Sequence, residues 1–417
     1  MPYDILVLGA TGYTGRLIVR YLYAHQQYRT SFTLAIAGRS QAKLDALIKE
    51  EKLDDSVQVL TVDVLKPDEI DRAVKGAKVV INTVGPFAKW GTPVVRSCVE
   101  HNVHYVDISG EGFWILDIIN EFHDRARQQG TILVPASGFD CVPSDYNAYL
   151  AHKALKSFAP DASLAETISA FVFKSGFSGG SLATSFNMLE LPQEKLKVSQ
   201  ADWALSPVKG RPAPHFQLSY RLPHVSPPVY GGQFMMAMVN RPIVQRTWGL
   251  LQEGDPASAY GPNFKYIEFA RTDSWLGGVL LSLQLAVAGF LLSLRPLRAL
   301  AKRFLPAPGE GPSNDDIEGG YFNITTVATS DPLPNGKPPV RVKSYFAGKG
   351  NGYQVTAVTT SEAALAILLD HDKLPALGKK GGILTPVAAF GDVLLDHLRP
   401  TGSFEEKVEL LEDRKAV

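Results

Sequence analysis

Cysteine is nearly absent from this 417-residue chain, which holds only Cys98 and Cys141. Two thiols so far apart in sequence make neither a disulfide scaffold nor half of a zinc site, so a reducing compartment is expected. An excess of charge of either sign is absent too. The 42 Lys and Arg balance 42 Asp and Glu, for a formal net charge of +0. Without a basic field to follow a phosphate backbone, nucleic acid is not an expected partner. The nine histidines show no H-E-x-x-H or comparable spacing, so no metal is expected. No leader is expected either: the strand-like run Asp4–Leu8 begins too early for a basic region, an apolar core and a cleavage site, which predicts a cytoplasmic chain. Internal repeats and low-complexity tracts are also lacking.

What is present is a hydrophobic fraction of 45%, in a chain long enough for two domains or one domain with a large insertion. The first part alternates short aliphatic runs with amphipathic stretches. Strands are predicted near Asp4–Leu8, Thr33–Ala37, Val57–Val62, Val79–Val84, His104–Ile108 and Thr131–Pro135. Helical patterns lie between them at Gln41–Glu50, Pro67–Val74, Pro93–Glu100 and Leu116–Gln128. The expected class is α/β, a Rossmann-type doubly wound parallel sheet.

After Asn147 the alternation fades, and Pro/Gly-rich stretches at Ser206–Pro214, Pro223–Gly232 and Pro306–Ser313 read as loops of a second domain. Thr167–Phe173 and Tyr321–Ala328 are strand-like. Arg341–Phe346 and Tyr353–Thr359 read as a hairpin joined through Gly348, Gly350 and Gly352, with a helix over Glu362–Leu369. Ser274–Leu294 is an uncharged run of about bilayer-spanning length, followed by Arg295, Arg298, Lys302 and Arg303. It supports two readings: contact with a membrane or lipid droplet, or a buried helix or dimer contact. Spanning is disfavoured, because the downstream elements should pack back onto the first domain.

The sharpest chemical signal is Gly9-Ala10-Thr11-Gly12-Tyr13-Thr14-Gly15, directly after the first strand and opening the next helix. Glycines there permit a tight turn, approach of a pyrophosphate and close helix packing, while the helix N-terminus supplies amide donors. At the end of the second strand, where an NAD enzyme places a carboxylate, stand Gly38-Arg39-Ser40, with Lys43 one turn on. Arg39 can grip a 2′-phosphate in bidentate fashion and Ser40 can add a hydroxyl, so NADPH is the expected cofactor. Asp63 and Val64 end the third strand, and Val84, Gly85, Pro86 and Phe87 follow the fourth, where strand ends line a ligand crevice.

G-A-T-G-Y-T-G, A-G-R-S, V-G-P-F, Y-V-D-I-S-G-E and G-F-D-C-V-P-S-D together resemble the saccharopine dehydrogenase-like oxidoreductases, including the trans-acting enoyl reductase branch. The resemblance covers most of the first 185 residues and returns at G-N-G-Y-Q-V-T-A, S-E-A-A-L and G-G-I-L-T-P, with few matches between about 190 and 320. It implies an NADP-binding Rossmann domain over 1–150, an inserted α+β domain for substrate and dimer contacts over 151–345, and a return over 346–417 packing on the Rossmann domain. It implies cofactor contacts at Gly9 to Gly15, Arg39, Ser40, Asp63, Val64, Val84 to Phe87, Ser109, Gly138, Phe139 and Asp140. Saccharopine reductases carry a G-L-D-P-G type turn where this chain has Asp140-Cys141-Val142-Pro143, a departure that argues against saccharopine as substrate.

Catalytic candidates are fewer. Asp140, Cys141, Ser144 and Asp145 cluster where the last strand opens, either as cleft residues or as a capped structural turn. Lys174, Ser175, Ser178 and Ser181 surround glycines and could hold an acyl carbonyl oxygen, or form a plain loop. Asp140 and Lys174 are the expected catalytic residues, with the Lys174 to Ser181 loop holding the carbonyl oxygen and either Asp140 or a bound water protonating the α-carbon. Tyr149 and Lys153, with Ser137 before them, mimic the set of short-chain dehydrogenases, a rival mechanism. The resulting expectation is an NADPH-dependent oxidoreductase of a hydrophobic or carrier-bound acyl substrate, with the enoyl reduction implied by the resemblance. The alternatives are an imine or carbonyl reductase of a small metabolite, and a lipid-surface NADP-binding sensor or scaffold.

Overall fold

Ile5, Leu6, Val7 and Leu8 are all buried, a continuous apolar run that suits a parallel strand covered on both faces. The computed structural model describes the chain except residues 1, 214–215, 257, 302, 304–305, 307–308, 334–335 and 412–417, so Lys302 lies outside the described residues. Along the first part run β1 (Ile5–Leu8), α1 (Tyr13–Tyr23), β2 (Leu34–Gly38), α2 (Gln41–Glu51), β3 (Gln58–Thr61), α3 (Pro67–Lys75) and β4 (Val79–Asn82). Then come α4 (Phe87–His101), β5 (His104–Asp107), α5 (Gly112–Gln129), β6 (Ile132–Val134) and α6 (Val142–Phe158).

The middle holds β7 (Leu164–Lys174), α7 (Gly179–Glu190), α8 (Gln193–Gln200), β8 (Tyr220–Leu222), β9 (Val229–Gly232), α9 (Ala237–Gly254) and β10 (Lys265–Thr272). It continues with α10 (Trp275–Ser293), α11 (Arg295–Ala301), α12 (Asn314–Glu318), β11 (Tyr321–Ser330) and β12 (Arg341–Lys349). Last come α13 (Gly352–Leu369), α14 (Ala376–Lys380), β13 (Gly382–Ile383), α15 (Pro386–Phe390), α16 (Asp392–Leu398) and β14 (Phe404–Leu411).

Among the described residues there are two seven-stranded sheets. The first has the order β13-β6-β5-β4-β1-β2-β3 and is parallel throughout. Strand pleating divides its side chains: Ile5 and Val7 join the core under α1 and α13, while Leu6 and Leu8 join the one under α3, α4 and α5. The order reverses between β1 and β4, so the connections leave in opposite directions and open a crevice at those strand ends.

The second sheet, β14-β12-β11-β7-β10-β9-β8, is antiparallel except for β7 beside β10. Helix α6 leaves β6 and lies against β11 and β12, which ties the two sheets through one buried helix.

The ends of the chain depart from the expected layout. Tyr353–Thr359 is helical, within α13, and β12 pairs with β11 instead of with it. Residues 352–367 of α13 include almost no exposed position, so the helix shows no polar stripe and its pattern cannot be told from that of a strand. The boundary at 345/346 falls inside β12, and β14 pairs with β12 in the second sheet. α13, β13, α14 and α15 return to the first sheet, α13 against β4 and β5, β13 by pairing with β6, and α14 and α15 by packing on β6. The 274–294 segment forms α10, in which only Gly278 and Ser282 are buried, so the buried-helix reading is corrected.

Candidate functional site

Beyond Leu8 the backbone swings at Gly9, where φ is +82° and a Cβ would lie 2.6 Å from Thr83 Oγ1. A Cβ on Gly15 would lie 2.2 Å from the Gly9 carbonyl oxygen. Both hydrogens are therefore required, and they press the start of α1 against the β1 turn. Gly12 caps α1 without a side-chain hydrogen bond. The first-turn amides have no partner inside the helix and carry its partial positive charge. This bare cradle fits a pyrophosphate.

Ala10 is buried and donates its N–H to Ala37 O, while Thr11 and Thr14 sit half-buried at the rim. The Tyr13 side chain turns to the second domain, donating to Pro312 O at 2.7 Å and standing edge-on to Tyr353 with ring centroids 5.0 Å apart.

Arg39 is exposed at the end of β2 and makes no hydrogen bond or ion pair among the described residues. Ser40 caps α2 without spending its hydroxyl on the cap. The two are free to meet a 2′-phosphate. Asp63 is a turn residue, its Oδ1 accepting Leu65 N–H at 3.0 Å, and Val64 packs against the core beside it.

After β4, the Val84 N–H is held by Asn82 Oδ1 at 3.0 Å, and Gly85 and Pro86 lead into α4. Glu111 caps that helix: its two carboxylate oxygens accept Phe87 N–H at 2.7 Å and Ala88 N–H at 3.0 Å. Burial raises the Glu111 carboxyl against those bonds. The ring of Phe87 lies inward against Trp114, 5.3 Å between centroids.

Asp107 fastens the ends of β5 and β6. Its Oδ1 accepts Ser109 N–H at 2.8 Å and Ala136 N–H at 2.9 Å, and Tyr105 donates to Oδ2 at 2.7 Å. Burial pushes its carboxyl up to about 7. The Ser109 hydroxyl oxygen accepts Glu111 N–H at 3.1 Å, which leaves its O–H free to donate.

Gly138 faces Thr356 on α13, and Phe139 N–H donates to Thr356 Oγ1 at 3.0 Å. The Phe139 ring is buried among Phe171, Phe173 and Phe322 of the second sheet, so it joins the domains and does not face the crevice. Asp140 does face it. A Cβ on Gly110 would come within 3.3 Å of Asp140 Oδ2 and 3.8 Å of Val239 on α9. The residue is exposed, but its carboxyl is the part packed beside Gly110, and that burial raises it to about 6.

Its neighbours turn away. Cys141 is buried against Val239 O. Ser144 donates to Glu268 Oε2 at 2.9 Å, and Asp145 accepts from Thr247 at 2.6 Å and Val387 N–H at 3.0 Å. These two residues tie α6 to β10, α9 and α15.

Lys174 departs from expectation. Its Nζ lies 3.8 Å from where a Cβ on Gly319 would sit and feels the charge of Asp316 on α12, and no contact joins it to Asp140 among the described residues. It lines a cleft of about 360 Å³ with Ser175, Phe177, Pro312 and Asp316. Nearby, Tyr353 OH accepts Ser178 N–H at 2.6 Å and bonds Ser181 Oγ at 2.8 Å, which occupies that loop internally. The rival set is engaged elsewhere: Lys153 lies over the Tyr149 ring but pairs with Asp392 at 2.6 Å, and Ser137 donates to Val134 O at 2.9 Å.

Tyr353 escaped the sequence reading. The signal that would have found it is Asn351, whose Oδ1 accepts both Tyr353 and Gln354 N–H at 3.0 Å as the cap of α13.

The family described as the saccharopine dehydrogenase NADP binding domain matches residues 5–134. A protein of Mycobacterium tuberculosis, provisionally named a trans-acting enoyl reductase, is 33% identical over 424 residues covering 96% of each chain. A trans-acting enoyl reductase of Mycobacterium ulcerans is 32% identical over 425 residues, with the same coverage. The solved apo saccharopine dehydrogenase (L-Glu forming) of Saccharomyces cerevisiae shares the fold, with a TM-score of 0.53, 15% identity and coverage of 98% of this chain and 100% of that one. An NADP-type cradle, free Arg39 and Ser40, and relatives matched over nearly their whole length lead to one statement: the chain belongs to the saccharopine dehydrogenase-like family of NADP-dependent oxidoreductases, with NADPH as its cofactor.

Proposed function

We propose that the protein is an enoyl reductase that saturates the C=C bond of an α,β-unsaturated acyl thioester held on a carrier. The observation that carries this reading is Asp140, whose carboxyl packs beside Gly110 at the strand ends and is raised by burial to about 6. The names of the mycobacterial relatives support the same reaction.

NADPH, when bound, would supply a hydride to the β-carbon. Reduction then needs a proton at the α-carbon, and a carboxyl near 6 is protonated often enough at neutral pH to give it. The turn that starts α9 adds exposed Met235 and Met238 beside Val239, unbranched side chains suited to an acyl chain of variable shape.

The test is NADPH consumption on matched enoyl-thioester, ketone and imine panels, using cofactor deuterated at C4 and mass spectrometry of the products. Deuterium at the β-carbon of a saturated thioester is expected, with Asp140→Asn lowering kcat about 100-fold. Deuterium on a carbinol or amine carbon overturns the enoyl assignment in favour of a carbonyl or imine reductase.

A further inference from the structure

α10 begins docked and ends free. Its first half is held on the second sheet: Gln233 N–H donates to Ser282 Oγ at 2.8 Å, and a Cβ on Gly278 would lie 2.3 Å from Gly231 O. From Ala286 to Leu291 every residue is exposed, including Val287 at 56% and Phe290 at 66%. Six consecutive positions pass right round a helix of ~3.6 residues per turn, so this half lays no face on the protein. A helix that is apolar all round requires apolar surroundings all round. A second copy or a flat protein partner would dry one stripe of it, whereas acyl chains would surround it.

Charge points the same way. From Ser274 to Gly309 the sequence has no Asp or Glu, while Arg295, Arg298, Lys302 and Arg303 follow the apolar run. Arg298 folds α11 back, donating to Leu189 O at 3.2 Å and lying 3.9 Å from Glu190 at the end of α7. Arg295, directly after the apolar run, and Arg303, beyond α11, remain exposed, and α11 adds exposed Leu297 and Leu300. Cations at such a boundary favour anionic head groups by about 1 kcal/mol each.

The geometry points to insertion of α10 and α11 into one leaflet of an anionic phospholipid surface, as a monotopic anchor. Length agrees: Leu283 to Leu294 extends about 18 Å at ~1.5 Å per residue, against ~15 Å for half a bilayer core. Topology excludes crossing. β10 before the excursion and β11 after it both pair with β7, so the chain leaves and returns on the same side.

The anchor is independent of the reaction, and its test reads vesicle binding. The full chain would be floated with phosphatidylcholine vesicles, with and without phosphatidylglycerol, alongside the double variants Val287→Glu with Phe290→Glu and Arg295→Glu with Arg303→Glu. Circular dichroism and NADPH binding report that each variant is folded. Flotation with anionic vesicles is expected for the parent chain, lost in the first variant and about tenfold weaker in the second. Absence of flotation by the parent chain, or equal flotation of all three, overturns the anchor. A concentration-dependent dimer without flotation, dissolved by Val287→Glu with Phe290→Glu, would also overturn it and assign the helix to a second copy.

Discussion

Arg39 stands at the end of β2 with its guanidinium free, beside a serine whose hydroxyl is also uncommitted. A planar, always-charged fork matches a phosphate dianion, and no carboxylate is present at that position to hold a ribose 2′-hydroxyl. Arg39→Ala is therefore expected to raise the Kd for NADPH by at least ~10-fold and leave NADH nearly unchanged, measured by fluorescence titration of both cofactors. Equal losses would remove the 2′-phosphate argument. Residue-scale chemistry of this kind was legible early, because Arg39 and the glycines act through local backbone geometry. The role of Lys174 was not, since the direction of its ammonium depends on α12, whose Asp316 lies far along the chain.

At the scale of elements, the β1-turn-α1 unit does its work through close contact. Adding one methyl at Gly15 would drive it into the Gly9 carbonyl, and no flexible side chain is there to yield. Gly15→Ala is expected to cost about 2 kcal/mol of stability and to weaken NADPH, read by thermal unfolding with and without cofactor. An unchanged cofactor shift would mean that the cradle tolerates displacement of α1. The strands of the first sheet were legible for a related reason: buried parallel strands are apolar runs bounded by turns. α13 was misread as strand followed by helix because burial on all sides erased its period, leaving Asn351 as the one local sign of its start.

Across the whole molecule, α1, α13 and α16 are clamped by one buried carboxylate. Glu362 accepts from Tyr21, lies 3.4 Å from His25 Nε2 and meets His397 Nδ1 at 2.8 Å, while His397 Nε2 meets Asp370 at 2.8 Å. Burial alone would raise Glu362, but the hydrogen bonds from His25, His397 and Tyr21 outweigh it and hold the carboxyl at about 2, below its ordinary 4.5. Its contribution is full above about 4.5 and is lost as pH falls through about 2. Burial pulls His397 down, yet its bonds to Glu362 and Asp370 raise it above its ordinary 6.5. That share is full below 6.5 and is lost as pH rises through the folded value. Glu362→Gln is expected to destabilise the protein by about 3 kcal/mol and to flatten both limbs of the stability-pH curve, measured by denaturant unfolding across pH. A variant with an unaltered curve would show that the clamp carries no net stability.

Sequence alone determined the doubly wound sheet, the phosphate cradle and the preference for NADPH, because each depends on neighbours within one strand-turn-helix unit. Tertiary structure alone decided that Asp140 faces the crevice while Ser144 and Asp145, a turn away, face the second domain. It also decided that the second half of α10 is bare. The reason is the same in both cases: burial and desolvation are set by elements distant in sequence, here α9, β10 and β9, whose approach no local pattern encodes.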